Sequence, residues 1–204
     1  MSNLFLALAV AGALVAGCAQ KGKESSTQEI EASVYRPTGQ PSMTLFTMVN
    51  NNSGAGAHSA LLINASQSVL FDPAGSFEHA RVPERGDVLY GMTPSWVRSY
   101  KSAHARDTFH VVSQEIPLTA AQAERALQLV QANGAVASAM CANATSGILR
   151  QVPGFQNIRQ GFYPLKLMEQ VEGMPNVITD RYYETDSGDV RDGVADYAIT
   201  NSNP

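Results

Sequence analysis

Met43–Asp72 reads MTLFTMVNNNSGAGAHSALLINASQSVLFD, and the fold follows from how this stretch divides. Met43–Val49 is rich in β-branched and apolar residues, as a strand requires. Asn50–Gly56 (NNNSGAG) is a turn-rich loop. Ala57–Ile63 (AHSALLI) reads as a second strand and Ser68–Asp72 (SVLFD) as a short third one. Only Asn64–Gln67 separates these two, which predicts an antiparallel hairpin. Pro73-Ala74-Gly75 ends the third strand.

Further along, Pro94–Tyr100 opens a helix, with Thr93 as N-cap and the proline at the first helical position. Thr108–Ile116 (TFHVVSQEI) is a strand. Thr119-Ala-Ala-Gln122 has the spacing of a capping box and starts a helix through Ala123, Leu127 and Val130 to a C-cap at Gly134. A second helix carries Cys141, with Ile148 and Leu149 at i+7 and i+8, and a third starts at Tyr163-Pro164 and runs through Leu167, Met168 and Val171. Ile178–Glu184 is a late strand, and the tail from Arg191 is polar. There is no internal repeat. Strands followed by helices predict an α+β class, with one domain over residues 43–190 and a tail over 191–204.

Leu4–Gly17 (LFLALAVAGALVAG) is uncharged and apolar for fourteen residues. A spanning helix needs about 18 or more, so the stretch fits the apolar region of a signal peptide covering residues 1–17. Met1-Ser2-Asn3 carries no Lys or Arg. The run ends Leu14-Val15-Ala16-Gly17-Cys18, which resembles the lipobox of bacterial lipoproteins. That resemblance implies lipidation of Cys18 and a membrane attachment through the N-terminal lipid. Ala19-Gln20 follows, not aspartate, which implies the periplasmic face of the outer membrane. Residues 19–42 are polar, with two prolines, and read as a flexible tether.

The 204 residues are 44% hydrophobic and only 16% charged, against roughly 25% in an ordinary domain. A net charge of −4 argues against a nucleic-acid partner and a polybasic membrane surface. Two cysteines exclude a disulfide scaffold and a Cys₄ zinc site. With Cys18 used for lipid, Cys141 is the single thiol of the mature chain in an oxidising compartment. It is either buried and inert or kept because its reactivity is used.

Three residues stand out together. His58 follows Gly54-Ala-Gly-Ala57 at the start of a strand, Asp72 ends the next strand, and Cys141 lies in the small-residue stretch Ser138–Gly147. A cysteine in the first turn of a helix gains from the helix dipole and free N–H groups, which favour its thiolate and can hold an oxyanion. A neighbouring imidazole adds to this and serves as general acid, and it needs an orienting group such as Asp72. The plain alternatives are a packed cysteine, a structural histidine and an aspartate doing turn chemistry before Pro73.

The order of histidine on a strand, acid on the next and cysteine on a later helix is similar to the circularly permuted papain-like fold. That group includes permuted relatives of the NlpC/P60 cell-wall peptidases and YiiX-like and DUF4105-like envelope proteins. The matching pieces are AHSALLI with His58, SVLFDPAGSF with Asp72 and MCANATSGILRQVPGF with Cys141, over residues 43–175. Cys141 follows His58 by 83 residues, the reverse of the ordinary papain order. The resemblance implies an antiparallel sheet packed on helices and a Cys141–His58–Asp72 site. Its expected activity is a lipid-anchored envelope cysteine hydrolase or acyltransferase. The substrate would be an amide, ester or thioester, such as a peptidoglycan peptide or an acylated envelope molecule. The alternative from another class is a non-catalytic envelope lipoprotein that uses the same scaffold for binding.

Other residues carry less. His79, His104 and His110 lack metal-ligand spacing, so neither a metal nor an organic cofactor is implied. Gly54-Ala-Gly56 is no phosphate loop and gives room near His58. Ser59 and Ser146 lack a nucleophile-elbow setting. Trp96 with Tyr100 either lines a groove or packs, and Asn143 either donates to an oxyanion or faces solvent.

Overall fold

The computed structural model describes residues 23–188 together with 190, 193 and 194. The apolar stretch 4–17, Cys18, the first residues of the expected tether and most of the expected tail lie outside the described residues. The elements in chain order are α1 (Thr27–Ser33), β1 (Ser42–Asn50), β2 (Gly56–Asn64), β3 (Ser68–Phe71), β4 (Glu84–Arg85) and β5 (Val88–Tyr90). They continue with α2 (Pro94–His104), β6 (Phe109–Pro117), α3 (Ala120–Asn133), α4 (Cys141–Leu149), α5 (Pro164–Glu172) and β7 (Ile178–Tyr182). The chain is α+β: one seven-stranded sheet, ordered β4-β5-β3-β2-β1-β6-β7, antiparallel at every pairing.

Alternation along the central strands sends side chains to two separate cores. Met43, Leu45, Leu61, Ile63, Val69 and Phe71 pack under α3, α4 and α5. Phe46, Met48, Ala60, Leu62 and Leu70 pack against Tyr100 and Ala103 of α2 on the other side. A sheet covered on both faces needs apolar residues at successive positions. This is why β1 is almost continuously buried and shows no strict apolar–polar alternation.

Caps set the helices where the sequence places them. The Thr93 hydroxyl accepts from Trp96 N–H ahead of Pro94, and Thr119 and Gln122 form a reciprocal capping box at α3. Gly134, at φ 75°, follows the end of α3.

Three regions differ from the sequence expectation. Within the expected tether, Thr27–Ser33 is a helix tied to the sheet edge. Ser26 and Glu29 form a capping box that starts α1, and Ser25 N–H bonds Glu84 O while Arg85 bonds Ser25 O. Only Ile30 of α1 packs on the core, so no apolar stripe marks the helix in the sequence. The second difference is the edge hairpin β4–β5, with strands of two and three residues, too short to register as period-two runs. The third concerns the start of the expected tail: Val194, like Val190 just before it, packs against the α2-side core, and Gly193 is buried where a Cβ would lie 2.6 Å from Ala103 Cα. Among the described residues no helix is long and apolar enough to cross a membrane.

Candidate active site

The site forms where the sheet leaves a gap. β3 stops at Phe71, paired with Leu61, so the Gly56–Ala60 part of β2 has no β3 neighbour. His58, Asp72 and the start of α4 converge there. Gly56 lets α5 approach, since a Cβ on it would lie 2.6 Å from Leu165 N.

Asp72 is buried and held on all sides. Its Oδ1 lies 2.7 Å from His58 Nε2 and accepts the Tyr100 hydroxyl at 2.7 Å. Its N–H donates to Asp87 O, and its carbonyl accepts from Gly75 N–H. A side chain at Gly75 would run into the Asp72 carboxylate, so that position is open only to glycine. The Asp87 carboxylate is a further tie. Its Oδ2 accepts Ala74 N–H and Val136 N–H, each at 2.8 Å. One buried oxygen thus joins the turn after Asp72 to the loop that delivers Cys141.

Cys141 is the first residue of α4 and 7% exposed. The chain reaches it through a tight turn, with Ala139 at φ 64° and Met140 at φ −103°, ψ 7°. No side chain caps this helix, which leaves its first-turn amides for other acceptors. Burial opposes the Cys141 thiolate. The hydrogen bond to His58, the imidazolium charge and the backbone N–H groups of Ser59 and Ala142 outweigh it, and the thiol pKa lies below its ordinary value. With Nε2 taken by Asp72, Nδ1 is the His58 nitrogen left for the sulfur.

The imidazole shows the matching effect. Burial disfavours its charge, but the Asp72 carboxylate and the Cys141 sulfur reverse this and raise the His58 pKa to about 10. Burial acts against the Asp72 carboxylate as well, and the charge and hydrogen bond of His58 and the Tyr100 hydroxyl bring its pKa below the usual value. These directions favour a thiolate–imidazolium pair backed by a carboxylate, the ionisation a cysteine nucleophile needs.

Space lies on two sides. A cavity of about 270 Å³ is lined by His58, His104, Met48, Ala57, Gly75 and Phe109 among others. A groove of about 530 Å³ with mixed polar and apolar lining runs beside α4, past Met140, Asn143, Gly147, Arg150 and Gln160. Asn143 is bonded there through its side-chain and backbone oxygens to Gln160.

All three residues singled out in the sequence meet at this gap. Tyr100 and Asp87 were not among them. Tyr100 is buried and neither lines a groove nor merely packs, because its hydroxyl holds Asp72. Of the other histidines, His79 lies against Trp96 and His110 bonds Asn51, away from the gap, while His104 lines the cavity beside His58 and bonds the Tyr100 carbonyl. Among the described residues, no group of three His, Cys, Asp or Glu side chains could hold a metal ion. No family model matches the chain, and it has no significant match among curated proteins or solved structures.

Proposed function

We propose that the protein is a cysteine-dependent hydrolase or acyltransferase, with Cys141 as nucleophile, His58 as acid and base, and Asp72 as the group that orients and charges the imidazole. The observation that carries this is the linked series of Cys141, His58 and Asp72, in which the thiol pKa is lowered and the imidazole pKa raised. The sulfur attacks an ester, thioester or amide carbonyl. The carbonyl oxygen becomes an oxyanion facing the uncapped amides of α4. The bond to the leaving group breaks as His58 delivers its proton there, and an acyl-thioester remains on Cys141. Water or an acceptor then gives its proton to His58, attacks the thioester and frees the sulfur.

A helix-start cysteine against an antiparallel sheet, with the histidine earlier in the chain, supports the permuted papain-like reading. The lipobox resemblance at Cys18 supports a lipid-anchored protein of the cell envelope, acting on peptidoglycan peptides or acylated envelope molecules within reach of the anchor. Replacing Cys18 by alanine should then release the protein from the membrane fraction.

The deciding experiment is alkylation with iodoacetamide at pH 6, where an ordinary thiol is about 0.3% ionised. Cys141 of the folded chain should react faster than the same residue in urea. With Cys18 replaced by alanine so that Cys141 is the single thiol, Cys141→Ser should abolish labelling, and His58→Ala should slow it with the fold retained. Labelling only after unfolding would sink the enzyme reading and favour a non-catalytic envelope protein that binds through the same scaffold.

A further inference from the structure

The second imidazole at the gap has no part in the series above. His104 ends α2, is 7% exposed and stacks on His58 with ring centroids 6.1 Å apart and planes within 9°. Its Nδ1 lies 2.8 Å from the Tyr100 carbonyl oxygen. A carbonyl only accepts, so Nδ1 carries the hydrogen and Nε2 of the neutral ring is a bare acceptor. Among the described residues no hydrogen bond reaches that nitrogen, and His104 lines the cavity beside His58. The rest of the lining offers Met48, Ala57, Phe109 and Val190, with Ser76 the main other polar side chain. The cavity touches His58 but not Cys141. The group that exchanges a proton with His58 during acyl transfer is the leaving group, or the acceptor in the return step. It must lie on the imidazole side of the sulfur.

We infer that this cavity binds the leaving or accepting portion of the substrate, a neutral hydroxyl or amine on a short apolar chain, and that His104 Nε2 accepts its hydrogen bond. Its volume of about 270 Å³, the space of about nine waters at ~30 Å³ each, has room for such a chain. Burial holds the His104 pKa down at about 4, with the neighbouring Asp72 charge acting the other way, so the ring stays an uncharged acceptor near neutral pH. A carboxylate finds no donor on that ring, and it meets the Cys141 thiolate and Asp72 carboxylate, which together outweigh the single His58 imidazolium charge. The proton balances as in the acyl-transfer step. An alcohol's single hydrogen rests on His104 Nε2 in the bound complex and passes to His58 only as the oxygen attacks, or arrives from His58 on the departing oxygen. An amine keeps one N–H on His104 and exchanges the other with His58. His104 itself stays neutral throughout. The role in turnover rests on the proposed function, whereas the binding itself does not.

The test is a titration of the full chain, labelled with ¹⁵N-histidine, with 1-butanol, and with butyrate as the charged control. The His104 Nε2 resonance should shift saturably with 1-butanol, and butyrate should bind at least tenfold more weakly. His104→Phe, followed through the His58 resonances, should weaken 1-butanol at least fivefold, and His104→Gln should restore part of the loss. Phe109→Ala enlarges the cavity without touching His104 and should move the preference to 1-hexanol. No saturable shift, or equal binding of butyrate, overturns the proposal. Phenyl acetate separates the two readings. If it leaves no acetyl group on Cys141 while 1-butanol still binds, the acyl-transfer function fails and the binding site stands. If acetyl-Cys141 forms, butyl acetate as product marks an acceptor site, and competitive inhibition of butyl acetate hydrolysis by 1-butanol marks a leaving-group site.

Discussion

His58 and His104 lie ring against ring, both largely buried, and their proton affinities move in opposite directions: up to about 10 for one, down to about 4 for the other. Burial penalises the charge of both. What separates them is the partner on each ring. His58 directs Nε2 at a carboxylate oxygen and hydrogen-bonds a sulfur whose thiolate form is favoured. His104 directs Nδ1 at a carbonyl, which keeps one hydrogen in place and gives no reason to take up a second. A strand end and a helix end thus bring two identical side chains to one gap and assign them different states. One moves protons and the other stays a fixed acceptor.

The largest effect should come from removing the partner that makes the difference. Asp72→Asn keeps the shape and deletes the charge. The His58 pKa should fall from about 10 to near or below its ordinary 6.5, and the Cys141 thiol pKa should rise. Acyl transfer should drop on the order of 10⁴-fold, as when an orienting aspartate is neutralised in a serine triad. Histidine ring NMR against pH gives the first quantity, and the pH dependence of alkylation gives the second. An unchanged His58 titration would show that Asp72 is not the cause of the contrast.

The same contrast should appear in stability against pH. A raised folded-state pKa means that the His58 contribution is fully present below pH 6.5 and is lost as pH climbs towards about 10. Cys141 acts with the opposite sign, because its lowered pKa gives stability above the ordinary thiol value that is lost as pH falls. The two partly cancel in the native chain. In Cys141→Ala the melting temperature should therefore decline from pH 6.5 upward more steeply than in wild type. On the acid side His104 stays neutral while the unfolded chain takes up its proton, so stability should fall from pH 6.5 towards about 4. His104→Phe should remove that part and leave the acid loss due to Asp72. Melting curves across pH 4 to 10 that superimpose for all three proteins would contradict the opposed assignments.

How much of this the sequence shows depends on range. β1, β2 and β3 are legible because two short turns punctuate one apolar run, and α2 and α3 because Thr93-Pro94 and Thr119–Gln122 cap them locally. His58, Asp72 and Cys141 draw attention by residue type at element ends. Tyr100, Asp87 and His104 do not, because each acts through a partner distant in the chain or through a hydrogen bond of one specific ring nitrogen. Tyr100 and His104 do stand one helical turn apart on α2, the one local hint that both face the same way. Asp87 follows Gly86 in what looks like an ordinary turn, and only folding reveals the two amides on its carboxylate.

A smaller perturbation tests how firmly the carboxylate must be held. Tyr100→Phe removes one of the two donors on Asp72 Oδ1 and leaves the ring packing with Phe46 and Phe77. Hydrogen bonds to charged groups are worth about 1.5–3 kcal/mol, so a loss of that size in unfolding free energy is expected. The Asp72 pKa should rise, since the hydroxyl is one of the groups holding it down. His58 should keep its high pKa because its own bond to Asp72 is untouched, which separates holding the acid from charging the base.

The finest test leaves both rings and Asp72 intact. Asp87→Asn keeps an oxygen for Ala74 N–H and Val136 N–H but removes the charge that strengthens both bonds. The backbone at 87, φ 62°, is one that asparagine tolerates. A stability loss of about 1 kcal/mol is expected from the weaker bonds. The Glu84 carboxyl, raised to about 7 by burial and by the Asp72, Asp87 and Glu78 charges, should titrate lower. If Asp87 sets the distance between the Asp72 turn and the Cys141 loop, alkylation of Cys141 should slow as well, although Asp87 touches neither sulfur nor imidazole. Asp87→Ala, which strands both amides, should then slow it further. Unchanged alkylation in both variants would confine Asp87 to stability and leave the Cys141 turn to hold itself in place.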